Sequence, residues 1–260
     1  VASAQPGPND LILEIGAGIG TLTVALARAG AAVVAVEVDA RFIPILRAVC
    51  APYPRVQIVH ADGMALDAVG LPPVTKVVAN LPYSIASPLL ISLLEAGVGR
   101  HYVVMVQEEV ARRLVAPPGS QAYGLLTVAV RAHAHPSVVA RVSRSAFFPP
   151  PQVTSSIVRL EVPDTPPVPR DLIPGVMRLA RAAFGQRRKM LRSSLQTALA
   201  VGARPSLVGP ASVAAESLCR AAGIDPRRRG ESLSLAEFAR LARVLADREA
   251  ADRRGTLSMG

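Results

Sequence analysis

The sequence predicts an α/β fold in which a seven-stranded, mostly parallel sheet with flanking helices is followed by a small all-helical C-terminal domain. Three observations predict it. Short apolar runs alternate with helically spaced stretches through the first 162 residues, as strands buried between helices do. The first run, Leu11-Ile12-Leu13-Glu14-Ile15, leads directly into Gly16, Gly18 and Gly20. Four prolines then fall within residues 162–169, and past them the strand pattern stops. Proline removes backbone donors and favours extended chain, so residues 163–170 read as a linker between a body of residues 1–162 and a domain of residues 171–260.

The glycines after the first strand let backbone approach a ligand at the strand's carboxyl end. Their G-x-G-x-G spacing differs from the G-x-G-x-x-G of dinucleotide binders, so a pyrophosphate is not the expected guest. A helix follows at 21–28. The second strand, 32–36, ends at Glu37, a carboxylate placed to accept both hydroxyls of a ribose. Asp39 is expected to cap a helix starting near Ala40. The third strand, 56–59, runs into His60-Ala61-Asp62-Gly63, where Asp62 suits a helix cap and the amino group of a nucleoside base equally. The fourth, 76–79, ends at Asn80-Leu81-Pro82-Tyr83. An adenine amine is a poor nucleophile because its lone pair is delocalised into the ring. An Asn oxygen and a neighbouring carbonyl can accept its two N–H bonds while a Tyr ring stacks on the base. Pro82, with fixed φ and no N–H, is expected to hold the Leu81 and Pro82 carbonyls inward. Further strands are expected at 102–106, 125–132 and 153–162, and helices at 172–184, 187–199, 212–222 and 235–247.

Half of the 260 residues are apolar, ample for a buried core, and no uninterrupted apolar run reaches the length of a membrane span. The first ten residues carry no basic-then-apolar signal. Cys50 and Cys219 lie far apart with no C-x-x-C or His cluster, so neither a metal site nor a disulfide framework is expected, and a reducing cytoplasm is the expected setting. Charge is uneven. Residues 1–161 hold 12 Lys/Arg against 10 Asp/Glu, whereas residues 162–260 hold 17 against 9. The basic excess therefore sits in the smaller part, where a polyanion-facing appendage would carry it. Arg178, Arg181, Arg188 and Arg192 would line one side of a single helix, within an arc of about 80°, if it ran unbroken past Gly185. If Gly185 ends one helix, they form two smaller clusters, and residues 225–230 add a basic turn. With 4 Tyr, 5 Phe and no Trp, a broad stacking surface for single strands is not expected.

Four successive strand tips thus carry Gly16, Gly18 and Gly20, then Glu37, Asp62 and Asn80. That order resembles the S-adenosylmethionine-dependent methyltransferases, and the fourth tip, Asn80-Leu81-Pro82-Tyr83, resembles the ribosomal RNA adenine dimethyltransferase family in particular. Two later blocks are similar to the same family: the F-x-P-x-P-x-V-x-S pattern beginning Phe147-Phe148-Pro149-Pro150-Pro151-Gln152-Val153, and the A-F-x-Q-R-R-K pattern of Ala183-Phe184-Gly185-Gln186-Arg187-Arg188-Lys189. These blocks are closest to the enzymes of the bacterial small subunit.

The resemblance implies a Rossmann-like class I methyltransferase domain over 1–162 and an RNA-binding domain over 171–260. It implies S-adenosylmethionine as methyl donor, with Glu14, Gly16, Gly18, Gly20, Glu37, Asp62, Gly63 and Asn80 toward the cofactor. Asn80, Leu81, Pro82 and Tyr83 would act on the base, clamped between Tyr83 and Phe147 after leaving its stack. Phe148 takes the variable place and is expected in the core. Arg178, Arg181, Arg187, Arg188, Lys189 and Arg192 would face RNA phosphates. The implied reaction is dimethylation of two adjacent adenosines near the 3′ end of small-subunit ribosomal RNA by a monomer that also serves ribosome biogenesis, without metal or membrane. Three departures stand out. The family's leading Gln-Asn-Phe-Leu segment has no counterpart, so the chain is expected to lack the leader; Ser84 stands where Asn is usual, and Ala17 where Pro is.

Overall fold

The computed structural model describes residues 1–200 and 211–257. Seven strands form one sheet: β1 (Leu11–Ile15), β2 (Ala32–Glu37), β3 (Val56–His60), β4 (Lys76–Asn80), β5 (His101–Gln107), β6 (His135–Val142) and β7 (Ser155–Glu161). Their spatial order is β3-β2-β1-β4-β5-β7-β6. Pairings from β3 to β5 are parallel, and β7 runs antiparallel between β5 and β6. Strands covered on both faces must be apolar throughout, and β2 accordingly buries Val33 to Val36 without alternation. Helices α1 (Thr21–Arg28), α2 (Ile43–Cys50), α3 (Ala86–Glu95) and α4 (Glu108–Val115) connect the early strands.

The sixth strand lies elsewhere than expected. Residues 125–132 form a helix, α5 (Leu125–Arg131), with Leu126 to Val130 all buried. A short run apolar on every side suits a buried helix as well as a buried strand, and periodicity does not separate them. The true sixth strand, β6, is an outer strand of the sheet whose residues are partly or fully exposed, and its Val138-Val139-Ala140 run is short and flanked by His135, Pro136 and Arg141. Pro136 within it is tolerated because an edge has unpaired backbone positions.

By its contacts the chain divides into two units. The first comprises Val1–Val115 and His133–Asp164, and the second Ala116–Ala132 and Thr165–Gly260. The change between Asp164 and Thr165 falls inside the proline-rich stretch, while residues 116–132, α5 included, cluster with the second unit. The division sharpens the charge asymmetry. The first unit holds 11 Lys/Arg against 11 Asp/Glu, the second 18 against 8.

The second unit is helical among its described residues: α5, α6 (Ile173–Gly185), α7 (Leu191–Ala200), α8 (Ala211–Ala221) and α9 (Leu235–Leu257). Gly185 ends α6, so the arginine row is broken into pieces. Small residues let α6 and α9 pack closely: a Cβ at Gly175 would sit 3.2 Å from that of Ala242. Tyr123, Phe184 and Phe238 form a ring cluster, with Tyr123 and Phe184 edge to face at 5.7 Å. The Tyr123 hydroxyl donates to the Leu233 carbonyl at 2.7 Å. Gly230 presses on α6 so tightly that a Cβ there would meet Ala183 Cβ at 2.6 Å and its carbonyl carbon at 3.1 Å. Gly230→Ala is therefore expected to destabilise this unit by about 1–3 kcal/mol, the usual cost of overpacking against backbone, read as a lowered urea midpoint. No described helix is long and apolar enough to cross a membrane.

Candidate active site

The chain leaves β1 toward β2 and leaves β4 toward β5, in opposite directions across the sheet, so a crevice opens between the carboxyl ends of β1 and β4. Both edges of that crevice carry residues singled out by sequence. Gly16, Gly18 and Gly20 have φ of 76°, 56° and 89°, a region that other residues enter only with strain. The amides of Gly16 and Ala17 donate to the Val36 carbonyl at 2.9 and 3.2 Å, which fixes the loop against β2. A Cβ at Gly16 would lie 3.7 Å from Pro82 Cδ and 3.8 Å from the Asn80 carbonyl oxygen. The glycine loop and the Asn-Leu-Pro-Tyr segment therefore face each other in close contact.

Glu37 ends β2 and is only 6% exposed. Its Oε2 accepts the Gly18 amide at 2.7 Å and its Oε1 the Asp39 amide at 2.8 Å, so the carboxylate braces the glycine loop. Asp39 is not the cap of α2, which begins at Ile43 behind Phe42. Its carboxylate accepts the Arg41 amide at 2.9 Å and pairs with the Arg41 guanidinium, which holds it down to about 2. Asp62 does cap the 3₁₀ turn after β3: its Oδ1 accepts the Met64 amide at 2.9 Å. The carboxylate stays exposed. Gly63 is pressed against the first strand, since a Cβ there would come within 2.6 Å of Ile15 Cγ2.

Asn80 is exposed at the tip of β4, and its side-chain amide has no hydrogen-bond partner among the described residues. The backbone on either side is held. The Leu81 amide donates to the Met105 carbonyl at 3.2 Å, continuing the ladder with β5, while the Leu81 side chain is buried. The Pro82 carbonyl accepts the Ile85 amide at 3.2 Å and so closes a turn into α3. The Tyr83 hydroxyl shares a 2.8 Å hydrogen bond with Ser155, a buried residue at the start of β7. Phe147 is half-buried behind a 3₁₀ turn, Arg144–Ala146, capped by Ser143. The ring contacts among the described residues do not join Tyr83 to Phe147. Phe148 is not in the core: its side chain is 100% exposed.

Glu14 is the most deeply buried carboxyl group among the described residues. It is the penultimate residue of β1, 1% exposed, with Oε2 lacking a hydrogen-bond partner among the described residues. Burial pushes its carboxyl up to about 7. Its position near the end of β1, just ahead of the glycine loop, keeps it beside the crevice while its carboxyl is shielded from solvent.

The second unit contains the expected phosphate contacts, and the structure divides them. Arg178 is held by Glu249 of α9 at 2.5 Å. Arg187 is a clasp: it donates to the carbonyls of Tyr123 and Gln121 at 2.5 and 3.3 Å, lies 3.7 Å from Glu231, and sits 6.0 Å over the Phe184 ring. Both hold the helical unit together, although 33% of the Arg178 side chain and 45% of the Arg187 side chain stay exposed. Arg181, Arg188 and Lys189 are exposed and have no ion-pair partner among the described residues. Arg192 borders a cavity of about 680 Å³ with Arg220 and Arg227, opposed by Glu216 and Asp225. The amides of Leu191 and Arg192 donate to the carbonyls of Arg228 and Pro226, which brings the basic turn of 225–230 beside α7. Arg220 had no motif to mark it.

The whole arrangement can be set beside known proteins. The profile of the family described as "Ribosomal RNA adenine dimethylase" matches residues 1–219. A "Ribosomal RNA small subunit methyltransferase A" of Geobacillus kaustophilus is 42% identical over 251 residues, which cover 94% of this chain and 84% of that protein. One of the same name from Bradyrhizobium diazoefficiens is 43% identical over 253 residues, covering 94% and 84%. Among solved structures, a dimethyladenosine transferase from Plasmodium falciparum superposes with a TM-score of 0.77 at 26% identity, covering 92% of this chain and 91% of its own.

Proposed function

The chain belongs to the ribosomal RNA adenine dimethylase family, and from that premise we propose that it dimethylates two adjacent adenosines near the 3′ end of small-subunit ribosomal RNA, in the cytoplasm, on maturing subunits. One observation carries the reading. The Asn80 side-chain amide stands exposed at the tip of β4 without a hydrogen-bond partner among the described residues, and the backbone of the same segment lies against a glycine loop whose conformation only glycine adopts easily.

The crevice fits S-adenosylmethionine. Gly16 and Gly18 put no side chain at the crevice's edge, Glu37 braces the loop beside a ribose position, and Asp62 retains an exposed carboxylate for an adenine amino group. When bound there, the cofactor supplies a methyl group on a sulfonium, a leaving group that needs no further activation. The residues of the chain do the rest. Asn80 Oδ1 accepts an N–H of the target adenine amine, which draws the lone pair out of the ring and favours a pyramidal nitrogen. As that nitrogen attacks, it gains positive charge, and a fixed carbonyl dipole beside it lowers the barrier. Tyr83, anchored through its hydroxyl to Ser155, keeps its ring in one orientation for the base. Phe147 is proposed to cover the other face. Leu81 and Pro82 hold Asn80 and Tyr83 at fixed spacing, so catalysis rests mainly on orientation. Solvent takes the proton.

Arg181, Arg188, Lys189 and Arg192 are proposed to bind phosphates, with Arg178 and Arg187 reassigned to holding the helical unit together. Phosphate contacts release counterions, so binding should weaken steeply with salt. The test is to incubate the protein with unmethylated small subunits and tritiated cofactor and to map the labelled base. Label on adjacent adenosines near the 3′ end is expected; label in large-subunit RNA or on cytosine refutes the reading.

A further inference from the structure

Beside the carboxyl end of β5, within the first unit, lies a cavity of about 490 Å³ that the methyl-transfer chemistry does not use. Gln107 from the end of β5, Arg112 from α4, and Arg144, Gln152 and Thr154 from the loop before β7 line it. Among the described residues the side chains of Gln107, Gln152 and Thr154 have no hydrogen-bond partner, so two amides and a hydroxyl are free to donate and accept. Glu108, also in the lining, is already committed: it accepts from Ser156 and pairs with Arg112 at 3.4 Å and Arg141 at 3.3 Å. Glu109, the other carboxylate of the lining, is exposed and has no ion-pair partner among the described residues, while Arg112 and Arg144 remain largely exposed, so the lining carries charges of both signs.

The loop between Arg144 and Gln152 is closed at its base by a bond from the Arg144 guanidinium to the Gln152 carbonyl at 3.2 Å. Phe147 and Phe148 lie within it. Phe147 has extended backbone, φ −122° and ψ 151°, so successive side chains there point to opposite sides. One ring is half-buried and the other 100% exposed. Three prolines after Phe148 stiffen the chain and reduce the entropy lost when the ring is covered. A fully exposed aromatic ring, carried on the stiff loop whose two ends, Arg144 and Gln152, both line the cavity, offers the stacking face that a single unpaired nucleotide requires.

We propose that this cavity and Phe148 form a second nucleotide site, which holds the nucleotide next to the adenosine being methylated. Phe148 stacks on its base, Gln107, Gln152 and Thr154 meet the base edge, and Arg112 and Arg144 meet its phosphates. The proposal rests on the functional reading above. It makes the enzyme sensitive to the neighbour's identity, which a pocket for the target base alone would not.

The experiment uses reconstituted small subunits carrying synthetic 3′-end RNA with the natural base or an abasic residue next to the target. Methyl transfer at the target is followed for the wild type, Phe148→Ala and Gln152→Ala. Removing the neighbour's base should cost the wild type roughly tenfold in kcat/KM, mostly through KM, whereas Phe148→Ala should already be reduced by a similar factor and lose little more. Gln152→Ala should respond in the same sense. Cofactor affinity and melting temperature should be unchanged in both variants, since Phe148 and Gln152 are exposed. Independent, multiplying effects of variant and abasic residue overturn the site. Weaker binding of Phe148→Ala to every particle regardless of the neighbour overturns it too, pointing to a protein contact. If the wild type labels no adenosine on any particle, the functional reading itself has failed, and the second site falls with it.

Discussion

Asn80→Ala should lower the single-turnover rate of methyl transfer about 10²–10³-fold, the cost of removing one preorganised dipole aimed at developing charge. The measurement uses saturating cofactor and pre-bound subunits, so that the rate reports the transition state and not binding. Folding should be untouched. The Asn80 side chain is exposed and has no partner among the described residues, and such positions change stability by less than about 0.5 kcal/mol. The neighbouring backbone is held independently by the ladder to Met105 and by the turn from Pro82 to Ile85. A rate within threefold of the wild type would remove Asn80 from the chemistry and leave the tetrapeptide as a turn.

What the sequence made visible follows from where the information lies. The tips of β1, β2, β3 and β4 were readable because each is a local event: a buried apolar run ends, and the next few residues are polar or glycine. Parallel pairing then gathers those tips on one edge, since every crossover returns the chain to the same end of the sheet. Gly16 against Pro82 and Gly63 against Ile15 are consequences of that topology. The failures are equally physical. The run at 125–132 is apolar on every side, and only tertiary packing decides that it coils. The outer strand β6 carries His135, Pro136 and Arg141 around a short run of Val138-Val139-Ala140, too brief and too interrupted to mark a strand.

Long-range ties were invisible for a different reason. Arg178 and Arg187 have the composition of phosphate contacts, yet their partners Glu249 and Tyr123 lie 71 and 64 residues away. Nothing within a window around either residue distinguishes a clasp from a free cation. The same holds for Tyr83, whose anchor Ser155 is 72 residues distant. Phe148 failed in the opposite sense. A Phe next to a Phe and three prolines reads as core by hydrophobicity alone, and only the closed loop from Arg144 to Gln152 turns its ring into solvent.

Glu14→Gln is expected to make the first unit more stable at pH 8 by about 3 kcal/mol while leaving it little changed at pH 4.5. The wild-type carboxyl has a folded-state pKa of about 7 against an ordinary 4.5, because burial disfavours the charged form. The folded chain therefore holds this proton more tightly than the unfolded chain. Its ionisation costs stability that is absent below pH 4.5, grows as pH rises, and is complete above pH 7. A shift of this size corresponds to about 3 kcal/mol at 1.36 kcal/mol per pH unit. Gln is neutral throughout and nearly isosteric, so the slope between pH 4.5 and 7 should vanish. Urea unfolding with hydrogen exchange read at the β1 amides supplies the measurement. Cofactor affinity separates the two roles open to this residue. If Glu14, 1% exposed, supports the crevice without touching the cofactor, Gln should weaken S-adenosylmethionine by less than about tenfold, whereas loss of a direct charged contact leaves a bound cation unpaired and costs more. A pH-independent wild type, or a collapse in affinity with Gln, would return Glu14 to the ligand's surface.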